Sequence, residues 1–233
     1  MSNKVFDKKI QRIIGQVRFR PTLESYQHLP KTANIFVQEY EDWQIDNNNA
    51  TLVSPKEKKF LEIKSDTISY LNEGQENVDE AKTQIGKIFQ ENVNEHSVNQ
   101  IRRIGFRNTQ VLSCSFSYEE ITDLIYRKFY SQDEKIKRIS TDTPRDVVFV
   151  LDGFKNGFLN HVQIGPVVKE EALNLIKPQF KTAIETLTEV SLFIDVDVFI
   201  ADDLTNENCL NKLNDITNEN LRIVKEYIKY LST

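Results

Sequence analysis

The sequence predicts an α+β protein with two β-rich halves, each a mostly antiparallel sheet packed with amphipathic helices. Three observations predict it. Runs alternating apolar and polar residues, the period of a half-buried strand, occur in both halves: Val17-Arg18-Phe19-Arg20 and Ser191 to Ile200, SLFIDVDVFI. Apolar residues at steps of three and four, the spacing of one helix face, occur at Val78, Ala81, Ile85, Ile88 and Phe89. They recur at Leu210, Leu213, Thr217, Leu221, Val224, Ile228 and Leu231. Asn156-Gly157, between two strand-like runs, supplies the positive φ values of a two-residue hairpin turn.

In chain order, the first strand is expected over Ile13 to Arg20, ended by Pro21. Thr22 to Trp43 is ambiguous. Leu23, Tyr26 and Leu29 suit a helix up to Pro30, and Asn34 to Trp43 fits strand or helix. Asp46 to Asn49 is a polar turn. Thr51 to Val53 follows, then Phe60 to Lys64 and Thr67 to Leu71 as a hairpin about Ser65-Asp66. After the helix from Val78, Ile101 to Leu112 reads as a strand. Ser117-Tyr118-Glu119-Glu120 is a capping box that opens a helix with Ile121, Leu124, Ile125 and Phe129 on its apolar face. Ser131 to Pro144 has no apolar periodicity and reads as a linker or loop. The organisation expected is an N-terminal half over 1–130, a connector over 131–144 and a C-terminal half over 145–233, in one compact unit. Val147 to Phe154 and Phe158 to Val162 form the Asn-Gly hairpin. Lys169 to Glu189 is helical but carries Pro178, which predicts two pieces or a kink. A strand and a long terminal helix complete the chain.

Composition narrows the function classes. Of 233 residues, 39% are apolar and 28% charged, which suits a globular chain. Only 7 glycines are present, and no P-loop, G-x-G-x-x-G or G-x-S-x-G occurs. The net charge of −5 gives no bulk attraction to nucleic acid. Charge is uneven, however. Lys4, Lys8, Lys9, Arg12, Arg18 and Arg20 face a single Asp7 in the first twenty residues, while the stretch 185–220 is acidic. Cys114 and Cys209 are far apart and form no metal or disulfide spacing, so free thiols are expected. The start MSNKVFDKK lacks an apolar signal core, and a cytoplasmic protein without a membrane span is expected. His28, His96 and His161 are isolated, and no cofactor is expected.

Four pieces, in order, carry a family resemblance: Val17-Arg18-Phe19-Arg20, the hairpin FLEIKSDTISYLNEG, the strand Arg103-Ile104-Gly105-Phe106-Arg107-Asn108, and Phe193-Ile194-Asp195-Val196-Asp197 before the terminal helix. The chain resembles a sporadically distributed family of uncharacterised bacterial proteins of similar length. Asn108 stands where that family carries an aromatic residue. The resemblance implies a bacterial origin, and its sporadic distribution implies a defence-associated gene setting, antiviral defence included.

Three constellations can carry function. Arg18 and Arg20 share one strand face, and Arg103 and Arg107 share another. If the strands are neighbours, four guanidiniums form a basic surface for a partner or for nucleic acid. Alternatively they pair with acidic groups of the second half or line a dimer contact. Asp195 and Asp197 lie about 7 Å apart on one strand face, where two carboxylates can hold a divalent cation or simply face solvent or a partner. Glu62-Ile63-Lys64 is an E-x-K element of the kind found in metal-dependent nucleases, with Asp46 as its upstream candidate. Cys114 reads as a small buried hydrophobe, and Trp43 as a core or interface anchor. The reading this favours is a non-enzymatic protein that binds another macromolecule, most often a protein or a second copy of itself. The alternative is a nucleic-acid-binding or nuclease-like component.

Overall fold

β1 (Asp7–Phe19) has an apolar row on one face, Ile13, Val17 and Phe19, and Arg12, Ile14, Gln16 and Arg18 on the other. That alternation turns one face toward a helical layer and leaves the other on the open side of the sheet, and two strands flank β1 in the plane. The chain is a computed structural model that describes residues 6–46, 48–74, 78–96, 101–130, 144–180, 187–201, 204 and 206–233.

β2 (Asp42–Ile45), β3 (Asn49–Ser54), β4 (Lys59–Lys64) and β5 (Thr67–Asn72) form a meander, and β5 pairs with β1. β6 (Ile101–Ser113) lies on the other side of β1. From the second half, β7 (Phe149–Lys155), β8 (Phe158–Val168) and β9 (Val190–Ile200) follow. The spatial order is β2-β3-β4-β5-β1-β6-β9-β8-β7, a nine-stranded sheet whose neighbours are all antiparallel. The α+β class expected from sequence is the class observed. Its two half-sheets are continuous: β6 pairs β9 from Ile104↔Ile200 to Ser113↔Ser191.

The helices take one face. α1 (Leu23–Phe36) lies over β3 and β4, α2 (Val78–His96) over β1 and β5, α3 (Tyr118–Phe129) over β8, and α5 (Asn206–Ser232) over β6 and β9. Among the described helices, α4 (Lys169–Ile176) alone contacts β8 and β9 from the other side, above a small cluster of Ile10, Val111, Val167, Phe193, Ala172 and Ile176. Between α4 and the β2 edge, the face opposite the main helical layer carries no helix among the described residues.

Local chemistry explains most boundaries. Ser117 Oγ accepts from the Glu120 amide while Glu120 accepts from the Ser117 amide, the expected capping box. Asn156 and Gly157 have φ values of 55° and 84°, the left-handed pair of a type I′ turn. α4 stops at Lys177, left-handed at φ 46°, one residue before Pro178, so this region breaks rather than bends. α1 departs from the expectation: it runs through Pro30 to Phe36, and Leu23 and Tyr26 are exposed. Leu29, Ala33 and Phe36 make its buried face, and their burial outweighs the hydrogen bond that proline cannot donate. Residues 34–43 then divide into helix, a 3₁₀ turn at Val37–Glu39 and the start of β2. The expected connector falls on residues 131–143, outside the described residues, apart from Pro144.

A polar pin crosses the junction of the halves. Asn220 of α5 is buried, and its Nδ2 donates to Phe106 O of β6 at 2.9 Å and to Val196 O of β9 at 2.8 Å. The apolar stripe of α5, Leu213, Ile216, Ile223, Val224 and Leu231, is buried on the sheet rather than offered to a second copy.

Candidate functional site

The sheet register places the singled-out residues in rows on the face opposite the main helical layer. Arg18 stands directly across from Arg103. The next row is Gln16, Gly105, Phe199, Leu159 and Phe154, and the one after is Ile14, Arg107, Asp197, His161 and Asp152. A further row holds Arg12, Thr109, Asp195 and Gln163.

Side chains lean diagonally from row to row. Arg107 donates Nε to both carboxylate oxygens of Asp195 at 2.9 and 3.1 Å, and Nη2 to Oδ2 at 2.8 Å. Thr109 Oγ1 adds a 2.6 Å bond to the same carboxylate, which is only 1% exposed. Arg103 skips a row to reach Asp197, with Nη2 to Oδ2 at 2.8 Å. It can do so because the residue it crosses is Gly105: a Cβ there would lie 3.2 Å from Arg103 Cζ and 3.0 Å from Phe199 Cβ. The guanidinium carbon sits 4.4 Å from the Phe199 ring centre. Gln16 Oε1 accepts from Arg103 Nη1 at 3.1 Å and from Arg18 Nε at 2.8 Å, while its Nε2 donates to Ser69 at 3.0 Å. Ile14, Gln16, Arg18, Arg103, Gly105, Arg107 and Asp197 line a pocket of about 320 Å³.

Electrostatics follow this geometry. Burial raises the Asp197 carboxyl above its ordinary range, against Arg103 and Arg107, which pull it down. The hydrogen bonds to Asp195 hold Arg107 more firmly protonated. At the α4 end, burial lowers the Arg12 guanidinium against the opposing pull of Glu73, whose carboxylate lies 3.5 Å away.

The structure thus brings Arg18, Arg103 and Arg107 together, and it holds the pairing alternative for the last two. Arg20 lies beyond the end of β1, is exposed and does not line the pocket. Asp195 and Asp197 each engage a guanidinium. Among the described residues, no group of three or more His, Cys, Asp or Glu side chains is placed to hold a metal ion. Glu62 and Lys64 bond to each other at 2.9 Å on the same open face, and Asp46 accepts from the Asn48 and Asn49 amides in the β2–β3 turn. His161 pairs with Asp152 at 2.8 Å; the side chains of His28 and His96 lie outside the described residues, as do Asp202 and Asp203. Cys114 is half-buried and Cys209 fully buried, both as free thiols. Trp43 is exposed on the edge strand β2.

Sequence reasoning missed Gln16, Gly105 and Phe199. One signal was available: a glycine between two arginines four apart on a strand face leaves room for a long side chain to lie flat. No protein-family model matches the chain, and no curated protein matches it. No helix among the described residues is long and apolar enough to cross a membrane.

Proposed function

We propose that this chain is a non-enzymatic binding protein whose contact surface for another protein is the sheet face opposite the main helical layer, on which α4 is the one helix among the described residues, in the defence-associated setting that the family resemblance implies. The observation that carries the reading is a single row across that face. It runs from the arginine pocket at Gln16 and Gly105 through Phe199 to Leu159 and Phe154, which are 37% and 72% exposed. Val150 stands exposed two rows away. Arginine beside contiguous aromatic and aliphatic surface is the composition of an interface core. A nucleic acid suits the face less well, because two of its arginines already have carboxylate partners and the chain is acidic overall.

The test is photo-crosslinking in native cells. A benzophenone amino acid at Phe154 should give a discrete protein adduct, and one at the exposed Leu23 on α1 should not. No adduct at Phe154, equal adducts at both positions, or an adduct to nucleic acid would overturn the reading.

A further inference from the structure

We infer that the pocket between β1 and β6 is a carboxylate subsite that takes a Glu or Asp side chain of the bound protein. This rests on the protein-binding reading above and names the chemistry of its anchor.

The pairing pattern supports it. On this face Arg12, Arg103 and Arg107 each have a carboxylate partner, Glu73, Asp197 and Asp195. Arg18, which also lines the pocket, has no carboxylate partner among the described residues. Arg18 spends its Nε on Gln16, and its two Nη groups have no hydrogen-bond partner among the described residues. Two parallel N–H groups of a guanidinium edge match the two oxygens of a carboxylate.

Preorganisation is the second support. Gln16 accepts from both Arg18 and Arg103, so one amide sets the spacing of the two guanidiniums. Phe199 below and Asp197 beside fix the plane of Arg103. An arriving carboxylate therefore finds donors already in place, which reduces the ordering cost of binding. The pocket is larger than a carboxylate group alone, and Ile14 and Gly105 form an apolar part of its wall against which side-chain methylenes can lie.

The experiment is a titration of full-length protein, ¹⁵N-labelled at arginine, followed by guanidinium NMR at constant ionic strength. The probes are acetyl-Glu-amide, acetyl-Gln-amide and inorganic phosphate. Acetyl-Glu-amide should give saturable shifts at Arg18 and Arg103, and acetyl-Gln-amide none. Arg18→Gln should weaken binding about tenfold or more, Arg18→Lys should fall between, and Arg20→Gln should bind as the parent does. Equal shifts with the two peptides, unchanged binding by Arg18→Gln, or tighter binding of phosphate would overturn the subsite. The two readings fail separately. Adducts at Phe154 without a carboxylate response would remove the subsite and keep the protein-binding face. A carboxylate response without adducts would keep the pocket as an anion site and remove the face.

Discussion

Asp195 has both oxygens committed, to Arg107 and to Thr109, at 1% exposure. Arg107→Ala would strand a buried carboxylate with Thr109 alone. The expected loss is about 1–3 kcal/mol of unfolding free energy, the range for an orphaned buried polar group. Arg103→Ala should cost less, on the order of 1 kcal/mol or below, because its partner Asp197 keeps some contact with water. Urea unfolding of both variants checks the order. Asp197 itself makes a pH prediction. Its carboxyl is raised in the folded chain, so the folded state holds a proton over a range in which the unfolded chain has released it. That contribution is present at low pH and is lost as pH rises from the ordinary carboxylate range through the raised value. Asp197→Asn should flatten that part of the stability–pH curve, and an unchanged curve would refute the assignment. At this scale the sequence showed which residues share a face, since a strand's period is two. It could not show that Arg107 meets Asp195, because pairing depends on which strands are neighbours and on their register.

Elements depend on local chemistry, and here the sequence was most readable. The Asn156-Gly157 turn and the Ser117 cap each need only neighbouring residues, so short motifs suffice. α1 was misjudged at Pro30 because the benefit that keeps it helical, burial of Leu29, Ala33 and Phe36, is tertiary. The proline remains a local cost. Pro30→Ala, at an exposed position, should stabilise the chain by about 1 kcal/mol or more, read as a higher Tm; a lower Tm would mean that its effect on the unfolded chain dominates. The segment after α4 depends on one side chain. Glu73 accepts from the amides of Gln179 at 2.9 Å and Phe180 at 3.1 Å, and Arg12 donates to the last carbonyl of α4, Ile176 O. Glu73→Gln puts an amide donor against those N–H groups. Hydrogen exchange at Gln179 and Phe180 should accelerate, while exchange in β6 stays slow. Unchanged exchange at these two amides would show that the segment is held by other contacts.

At the scale of the whole molecule, the two sequence halves meet along β6 and β9. Ten consecutive residue pairs cross that line, from Ile104↔Ile200 to Ser113↔Ser191. The main core cluster also crosses it, joining Leu61 and Tyr70 of the first half to Ile164, Val196 and Ile216 of the second. The strand order could not be deduced from one sequence. Each half alone shows complete strand and helix patterns, and nothing in a period-two pattern says which edge is joined. The consequence for folding is a coupled unit. Urea unfolding followed by far-UV circular dichroism should show one transition, and hydrogen exchange in β4 and in β8 should report the same opening free energy. Asn220 sharpens the test, because its amide bonds one carbonyl from each half. Asn220→Ala removes both bonds and should lower stability by about 1–3 kcal/mol. If the halves are coupled, that loss appears equally in β4 and β8, although Asn220 touches neither strand's carbonyls. Two transitions, or a loss confined to the second half, would mean that the β6–β9 line is a contact between two separately stable units.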